Sequence, residues 1–250
     1  MKREFVTGDR GLEGLIQLAK TVAPSRAVVM LLGEQGTGKR FLARLIHEWS
    51  SRNTQPFLRI SATDAHVEEL QKNLEKQRNS SLFIQEIAAL PKDSQDYLAS
   101  WFHASAQDAT SARIIISTKL NLADLVKQGK FSDKLLECIN TVQLRIPALR
   151  ERLGDVELLA KYFARRNCER SNRPMMGVSE EAIQLLNAHN WPGNVRELEA
   201  VLERAMIVSV GSQIEAREIH ISTIPASSNK ANSAMAALQN WKPGKTLDEI

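Results

Sequence analysis

The chain is short of every feature that would place it in a membrane, outside the cell or around a metal. Nowhere in its 250 residues is there an uninterrupted apolar run of the roughly 18 residues or more that a spanning helix needs. Met1-Lys2-Arg3-Glu4-Phe5 has no apolar stretch behind it, so it is not expected to act as a secretory signal. Only two cysteines occur, Cys138 and Cys168, with neither metal-ligand spacing nor a disulfide framework. Both are expected to be reduced thiols of a cytoplasmic protein. His47, His66, His103, His189 and His220 are scattered without ligand spacing, so no metal site is expected. The net charge of +4 is mild and spread along the chain, which reads as a solvated basic surface rather than a nucleic-acid footprint.

What is present is an ordinary globular composition, 43% apolar and 25% charged, long enough for one sizeable core and a smaller satellite. Helix-like and strand-like segments alternate through the first part. Helices are expected at Leu12–Val22, Gly38–Ser51, Asp64 to about Arg78, and Pro91 to about Ala104. Strands are expected at Ala27–Leu32, Pro56–Ile60, Ser81–Ile87, Arg113–Ser117 and Thr141–Ile146. That order predicts an α/β fold, a parallel sheet sandwiched by helices with ligands at the carboxyl ends of the strands. After Pro147 only helices follow: Gly154–Arg170, then Ser179 as N-cap of a helix ending near His189. Trp191-Pro192-Gly193 forms a turn, and Asn194 with Glu197 reads as a capping box for the last helix. The expected domains are a nucleotide-binding core over 1–148, a helical lid over 149–225, and a linker over 226–250 whose final Lys245–Ile250 begins a further helix.

Between the first strand and its helix lies Gly33-Glu34-Gln35-Gly36-Thr37-Gly38-Lys39. Glycines let the backbone turn and aim N–H groups at phosphate oxygens, while the following helix directs its positive end to the same place. Lys39 would reach the outer phosphates. The position after it, where a hydroxyl would serve a metal, is Arg40. A plain glycine-rich strand-to-helix turn is the competing reading. Trp49, Trp101 and Trp191 read as packing rather than base stacking.

These motifs together resemble the AAA+ domain of bacterial enhancer-binding proteins, the activators of sigma-54 RNA polymerase. Gly33–Lys39 is similar to that family's GESGTGK loop, FLARLIHEWSS at 41–51 to its LVARAIHxxS helix, and SLFIQEI at 81–87 to TLFLDEI. LRERLGD at 149–155 resembles the core–lid junction, and WPGNVREL at 191–198 is the lid motif nearly unchanged. The resemblance runs over roughly residues 6–225. It implies a P-loop AAA+ core with a small helical lid, ATP or ADP as ligand, and an oligomer of like or unlike AAA+ subunits. Nucleotide-binding roles fall on Gly33, Glu34, Gln35, Gly36, Thr37, Gly38, Lys39, Arg40 and the lid sensor Arg196. The missing hydroxyl at Arg40 is also explained, because the family commonly carries Glu there rather than Ser or Thr.

The departures matter as much. By the same resemblance the metal-binding aspartate falls on Gln85, an amide that lacks the charge Mg2+ prefers. Glu86, whose family role is to polarise the attacking water, is retained. The asparagine that restrains that glutamate falls on Ser61, and a further strand-end asparagine on Lys119. The two arginines that reach into the neighbouring subunit fall on Ser132 and Cys138. The stretch Ala62–Ser80 is much shorter than in the family and holds no glycine, so the GAFTGA loop that touches sigma-54 has no counterpart.

The implied function is a transcription-regulator AAA+ domain that keeps its nucleotide, hydrolyses it poorly or not at all, and does not remodel sigma-54 polymerase. The alternatives are a slow ATPase and an interaction subunit that binds no nucleotide. A third is a cyclic di-GMP-responsive regulator of housekeeping RNA polymerase, with Arg40 and Lys119 adding positive charge. The family's helix-turn-helix domain follows the lid, and Thr246–Ile250 resembles its first residues. No sequence-specific DNA binding is expected of this chain alone.

Overall fold

The computed structural model describes residues 5–75, 78–105, 108, 110–152 and 154–221. Its first helix, α1 (Arg10–Val22), starts where the Asp9 carboxylate accepts a hydrogen bond from the Leu12 amide at 2.8 Å. Then come β1 (Val29–Leu32), α2 (Lys39–Glu48), β2 (Phe57–Ser61), α3 (Val67–Glu75) and β3 (Ser81–Gln85). They are followed by α4 (Lys92–Ser105), β4 (Arg113–Thr118), α5 (Leu122–Lys127), α6 (Asp133–Ile139) and β5 (Val142–Arg145). The helical part comprises α7 (Asp155–Ser171), α8 (Glu180–Asn187) and α9 (Asn194–Val208). Two short strands, β6 (Gly177–Val178) and β7 (Gln213–Ile214), pair in parallel beside those helices.

The five core strands form one parallel sheet in the order β2-β3-β4-β1-β5. Alternate residues of each strand go to opposite faces, and both faces are covered, which explains the nearly continuous apolar runs. Met30, Ile60, Ile84 and Ile116 pack with Leu70 of α3, Leu98 of α4 and Leu135 of α6. Leu31, Phe83, Ile115 and Leu144 pack on the other face with Leu12 of α1 and with Leu42 and Ile46 of α2. Leu42 is fully buried, and its truncation to Ala would cost about 2–5 kcal/mol.

Several expectations need correction. The strand expected to reach Ile87 stops at Gln85, because Glu86 turns left-handed at φ 58°, ψ 56° and a short 3-10 turn follows over Ile87–Ala89. Helices α5 and α6 and the β6–β7 pair had no periodic signal long enough to announce them. The capping box is only half made. Gly193, not Asn194, is the N-cap, and its amide donates to the Glu197 carboxylate at 2.7 Å. Asn194 is buried at φ 53° and sends its side chain elsewhere. Ser179 does cap α8, accepting from the Ala182 amide at 3.2 Å. Trp191 is fully buried and donates Nε1–H to the Leu186 carbonyl at 2.9 Å, a packing residue. The expected linker over 226–250 lies outside the described residues.

Candidate nucleotide site

The loop Gly33–Gly38 leaves the carboxyl end of β1 and feeds directly into α2. Its root is tied to both neighbouring strands. Gly33 N–H donates to the Thr118 carbonyl at 3.2 Å, and Ile146 N–H to the Leu32 carbonyl at 2.8 Å. Gly38 caps α2 with φ 104° and no side-chain hydrogen bond, so the first amides of the helix meet no capping side chain. The Thr37 hydroxyl, fully buried, donates back to the Glu34 carbonyl at 2.9 Å and fixes the turn from within.

Lys39 is 8% exposed, and all three protons of its ammonium have acceptors nearby. They are the Gly33 carbonyl at 2.6 Å, the Glu34 carbonyl at 3.1 Å and Glu86 Oε1 at 3.2 Å. Glu86 is positioned from both ends. Its amide donates to Ser117 Oγ at 3.3 Å, and its Oε2 accepts from the Lys119 amide at 3.2 Å. A non-glycine residue in the left-handed region costs of order 1–3 kcal/mol unless its surroundings hold it there. These bonds to Lys39, Ser117 and Lys119 are that hold.

The helical part closes on the loop. Arg150 grips Glu34 in a two-pronged pair at 2.9 and 2.6 Å. Asn194 Nδ2 donates to the same carboxylate at 3.1 Å and to the Gln35 carbonyl at 3.0 Å, while its Oδ1 accepts from the Leu149 amide at 2.7 Å. The Arg150 and Asn194 hydrogen bonds hold the Glu34 carboxyl well down, at about 2. Arg152, buried, donates to the Thr37 carbonyl at 2.8 Å and to the Pro147 carbonyl. Asp155 accepts from the Thr7 hydroxyl and from the Gly8 amide at 2.7 Å, which brings the start of the chain over the same place. Phe5 consequently lies against Gly38, where an added Cβ would be 3.1 Å from the ring. At Gly36, φ 83°, a Cβ would fall 2.1 Å from the Gly193 carbonyl oxygen and 3.4 Å from the Arg196 Cβ. Only glycine allows that approach.

The structure thus gathers Gly33–Lys39, Glu86 and Arg196. Arg40 is exposed, and Lys119 meets the site through its backbone while its side chain is exposed. Ser61 turns its hydroxyl to Thr63 at 2.8 Å. Ser61 and Gln85 line a different cleft of about 700 Å3 beside the edge strand β2, with Arg59, Asp64, His66 and Glu69. Ser132 is an N-cap, accepting from the Leu135 amide at 3.4 Å, and Cys138 packs half-buried against the core. Its thiol pKa is raised by burial and by Glu137. The residues the sequence reading missed are Arg150, Arg152, Asn194, Asp155 and Thr7. For all but Thr7 the signal lay in LRERLGD and WPGN, strings noticed as motifs but not assigned contacts; Thr7 stands in no motif.

The donor set does not suit a resident Mg2+. Gln85 offers an amide, and Glu86 already neutralises Lys39. Among the described residues no group of His, Cys, Asp and Glu could hold a metal ion, and no helix is long and apolar enough to cross a membrane.

Residues 13–149 match the sigma-54 interaction domain, and residues 150–238 match the AAA+ ATPase lid domain. The alginate biosynthesis transcriptional regulatory protein AlgB of Pseudomonas syringae pv. tomato is 33% identical over 94% of this chain and 57% of its own length. The transcriptional regulatory protein FlbD of Caulobacter vibrioides is 32% identical over 86% of this chain and 53% of its own. Among solved structures, NtrX of Brucella abortus in complex with ADP superposes with a TM-score of 0.78 at 26% identity, over 90% of this chain and 57% of that one. NtrX in complex with ATP gives 0.76 at 27% identity, over 90% of this chain and 59% of that one. The chain therefore spans little more than half the length of these relatives.

Proposed function

Since the chain belongs to the sigma-54 interaction family of AAA+ domains, we propose that it is a nucleotide-holding module of a transcriptional regulator, with turnover and sigma-54 remodelling lost. ATP or ADP sits on Gly33–Lys39, with Lys39 exchanging its internal carbonyl acceptors for phosphate oxygens and Arg196 approaching from α9. Glu34, Arg150 and Asn194 hold the two parts of the site together. NtrX, crystallised with both nucleotides, supports the choice of ligand.

The observation that carries the loss of turnover is what Ser132 and Cys138 do here. One spends its hydroxyl capping α6 and the other fills space beside the core, so neither supplies the cation that would stabilise charge in a neighbour's site. Such an arginine is worth about 10³–10⁵ in rate. Gln85, an amide where the resemblance places the metal-binding aspartate, points the same way. Among the described residues the link between β2 and β3 holds one short helix, α3, in a stretch without glycine, which supports the absence of a GAFTGA loop and of sigma-54 contact. Partners in this reading are further AAA+ subunits and RNA polymerase, with DNA contacted through another domain.

Phosphate release by the purified chain, measured beside Lys39→Ala, tests the reading together with thermal shifts in ADP, ATP and cyclic di-GMP. The proposal expects stabilisation by ADP or ATP and a release rate equal to the Lys39→Ala background. Turnover above that background would restore the slow ATPase. No shift with any nucleotide would leave an interaction subunit, and a shift confined to cyclic di-GMP would move the ligand to that class.

A further inference from the structure

Two donors from beyond the sheet reach back to the main chain of the Gly33–Lys39 loop, and they take alternate carbonyls. Asn194, the first residue of α9, donates from Nδ2 to the Gln35 carbonyl at 3.0 Å. Arg152, just before α7, donates from Nη2 to the Thr37 carbonyl at 2.8 Å. The Gly33 and Glu34 carbonyls are turned instead to the Lys39 ammonium, at 2.6 and 3.1 Å.

These peptides are trans, and in a planar trans peptide the C=O and the following N–H point in opposite directions. The donor that fixes the Gln35 carbonyl therefore aims the Gly36 amide away from Asn194. The one on the Thr37 carbonyl likewise aims the Gly38 amide away from Arg152. Neither amide donates to an acceptor among the described residues. With the uncapped first amides of α2 they make a concavity suited to an anion.

Both donors are firmly placed. Asn194 is fully buried at φ 53°, and its Oδ1 is taken by the Leu149 amide at 2.7 Å. Arg152 is 2% exposed, and its Nε and Nη2 share the Pro147 carbonyl. Its Nη1 has no hydrogen-bond partner. Burial lowers its pKa against the pull of Asp155, Asp9 and Glu151. Packing at the junction accounts for the Pro147 contacts. It does not account for a buried cation with an idle nitrogen behind the loop, a charge that is costly until an anion comes near.

We propose that Arg152 and Asn194 are positioning residues for anion binding: by holding the Thr37 and Gln35 carbonyls they pre-set the Gly38 and Gly36 amides for the phosphates of the ligand. The inference rests on the nucleotide reading above. It adds that the cradle is shaped from outside the loop, by side chains that touch no phosphate themselves.

The test uses the full chain at constant ionic strength, with ADP and pyrophosphate as probes. Affinity is read by calorimetry, and the loop amides by proton–nitrogen correlation spectra. In wild type the Gly36 and Gly38 amide signals should both move on binding. Arg152→Met keeps the length of the side chain without its donors, and Asn194→Gly keeps the left-handed backbone without the side chain. Each should weaken both probes about tenfold or more, the worth of an amide bond to a charged group. Arg152→Met should suppress the Gly38 shift and spare that of Gly36, and Asn194→Gly the reverse, a pairing that general loosening would not give. Arg152→Lys, with a cation and a donor restored, should recover much of the affinity. Ligand-free melting curves show whether each variant is folded, and either of the first two alone suffices. A wild-type chain that takes up neither probe defeats the nucleotide reading, and this inference with it. Wild-type binding that the folded variants match, or variants that lose both amide shifts alike, overturns the positioning role alone.

Discussion

Glu34 and Asn194, 160 residues apart, meet across a 3.1 Å hydrogen bond, and Arg150 grips the same carboxylate in a two-pronged pair. The second residue of the Gly33–Lys39 loop is therefore also the anchor of the helical part. This joint has an acid limit. The Glu34 carboxyl titrates near 2 in the folded chain against 4.5 for the free group, so its contribution is complete above about 4.5 and is lost as pH falls towards 2. The group is well exposed, so solvent screens the pair and its worth is about 1 kcal/mol or less. Urea unfolding of wild type and Glu34→Gln should show a stability difference that is constant above about pH 5 and disappears near pH 2.

Lys39→Ala should abolish nucleotide stabilisation. With ADP at a hundred times its dissociation constant the native chain gains about 2.7 kcal/mol, which for a domain of this size is a rise of about 5–10 °C in melting temperature. The variant should show none of that rise, and its ligand-free curve reports the loss of the Lys39–Glu86 pair separately.

Restoring one part of the hydrolytic apparatus should not restore the reaction. Gln85→Asp alone is expected to leave phosphate release at the Lys39→Ala background, since the cations missing at Ser132 and Cys138 account for about 10³–10⁵ in rate. Only a variant that also carries Ser132→Arg and Cys138→Arg should rise above it.

Gly36→Ala should damage the chain far more than Gly129→Ala. Both glycines have positive φ, 83° and 68°, but a Cβ at Gly129 meets nothing within 4 Å while one at Gly36 collides with the Gly193 carbonyl oxygen. The expected cost is about 1 kcal/mol at Gly129 and about 2 kcal/mol more at Gly36, where a backbone group must move. Urea midpoints of the two variants measure the difference.

The core was legible because its signals are local. Strand β1, the glycines after it and the apolar face of α2 lie in one continuous stretch, and the Ser179 cap lies three residues from the amide it accepts from. What escaped was assembled from distant residues or decided by them. Asn194 looked like a cap because Glu197 stands at capping-box spacing. Tertiary packing instead turned it into the loop, and the Gly193 amide took its place at Glu197. Helices α5 and α6 are too short to establish a period.

At Gly36 and Gly193 two stretches of main chain touch with no side chain between them. Side chains can absorb a small displacement by changing rotamer, whereas bare backbone passes it on. A ligand that reshapes the loop by even a few tenths of an ångström must therefore push on the turn that starts α9. Occupancy of the loop and the position of α9 are in this way coupled through main chain alone, whether or not the nucleotide is turned over.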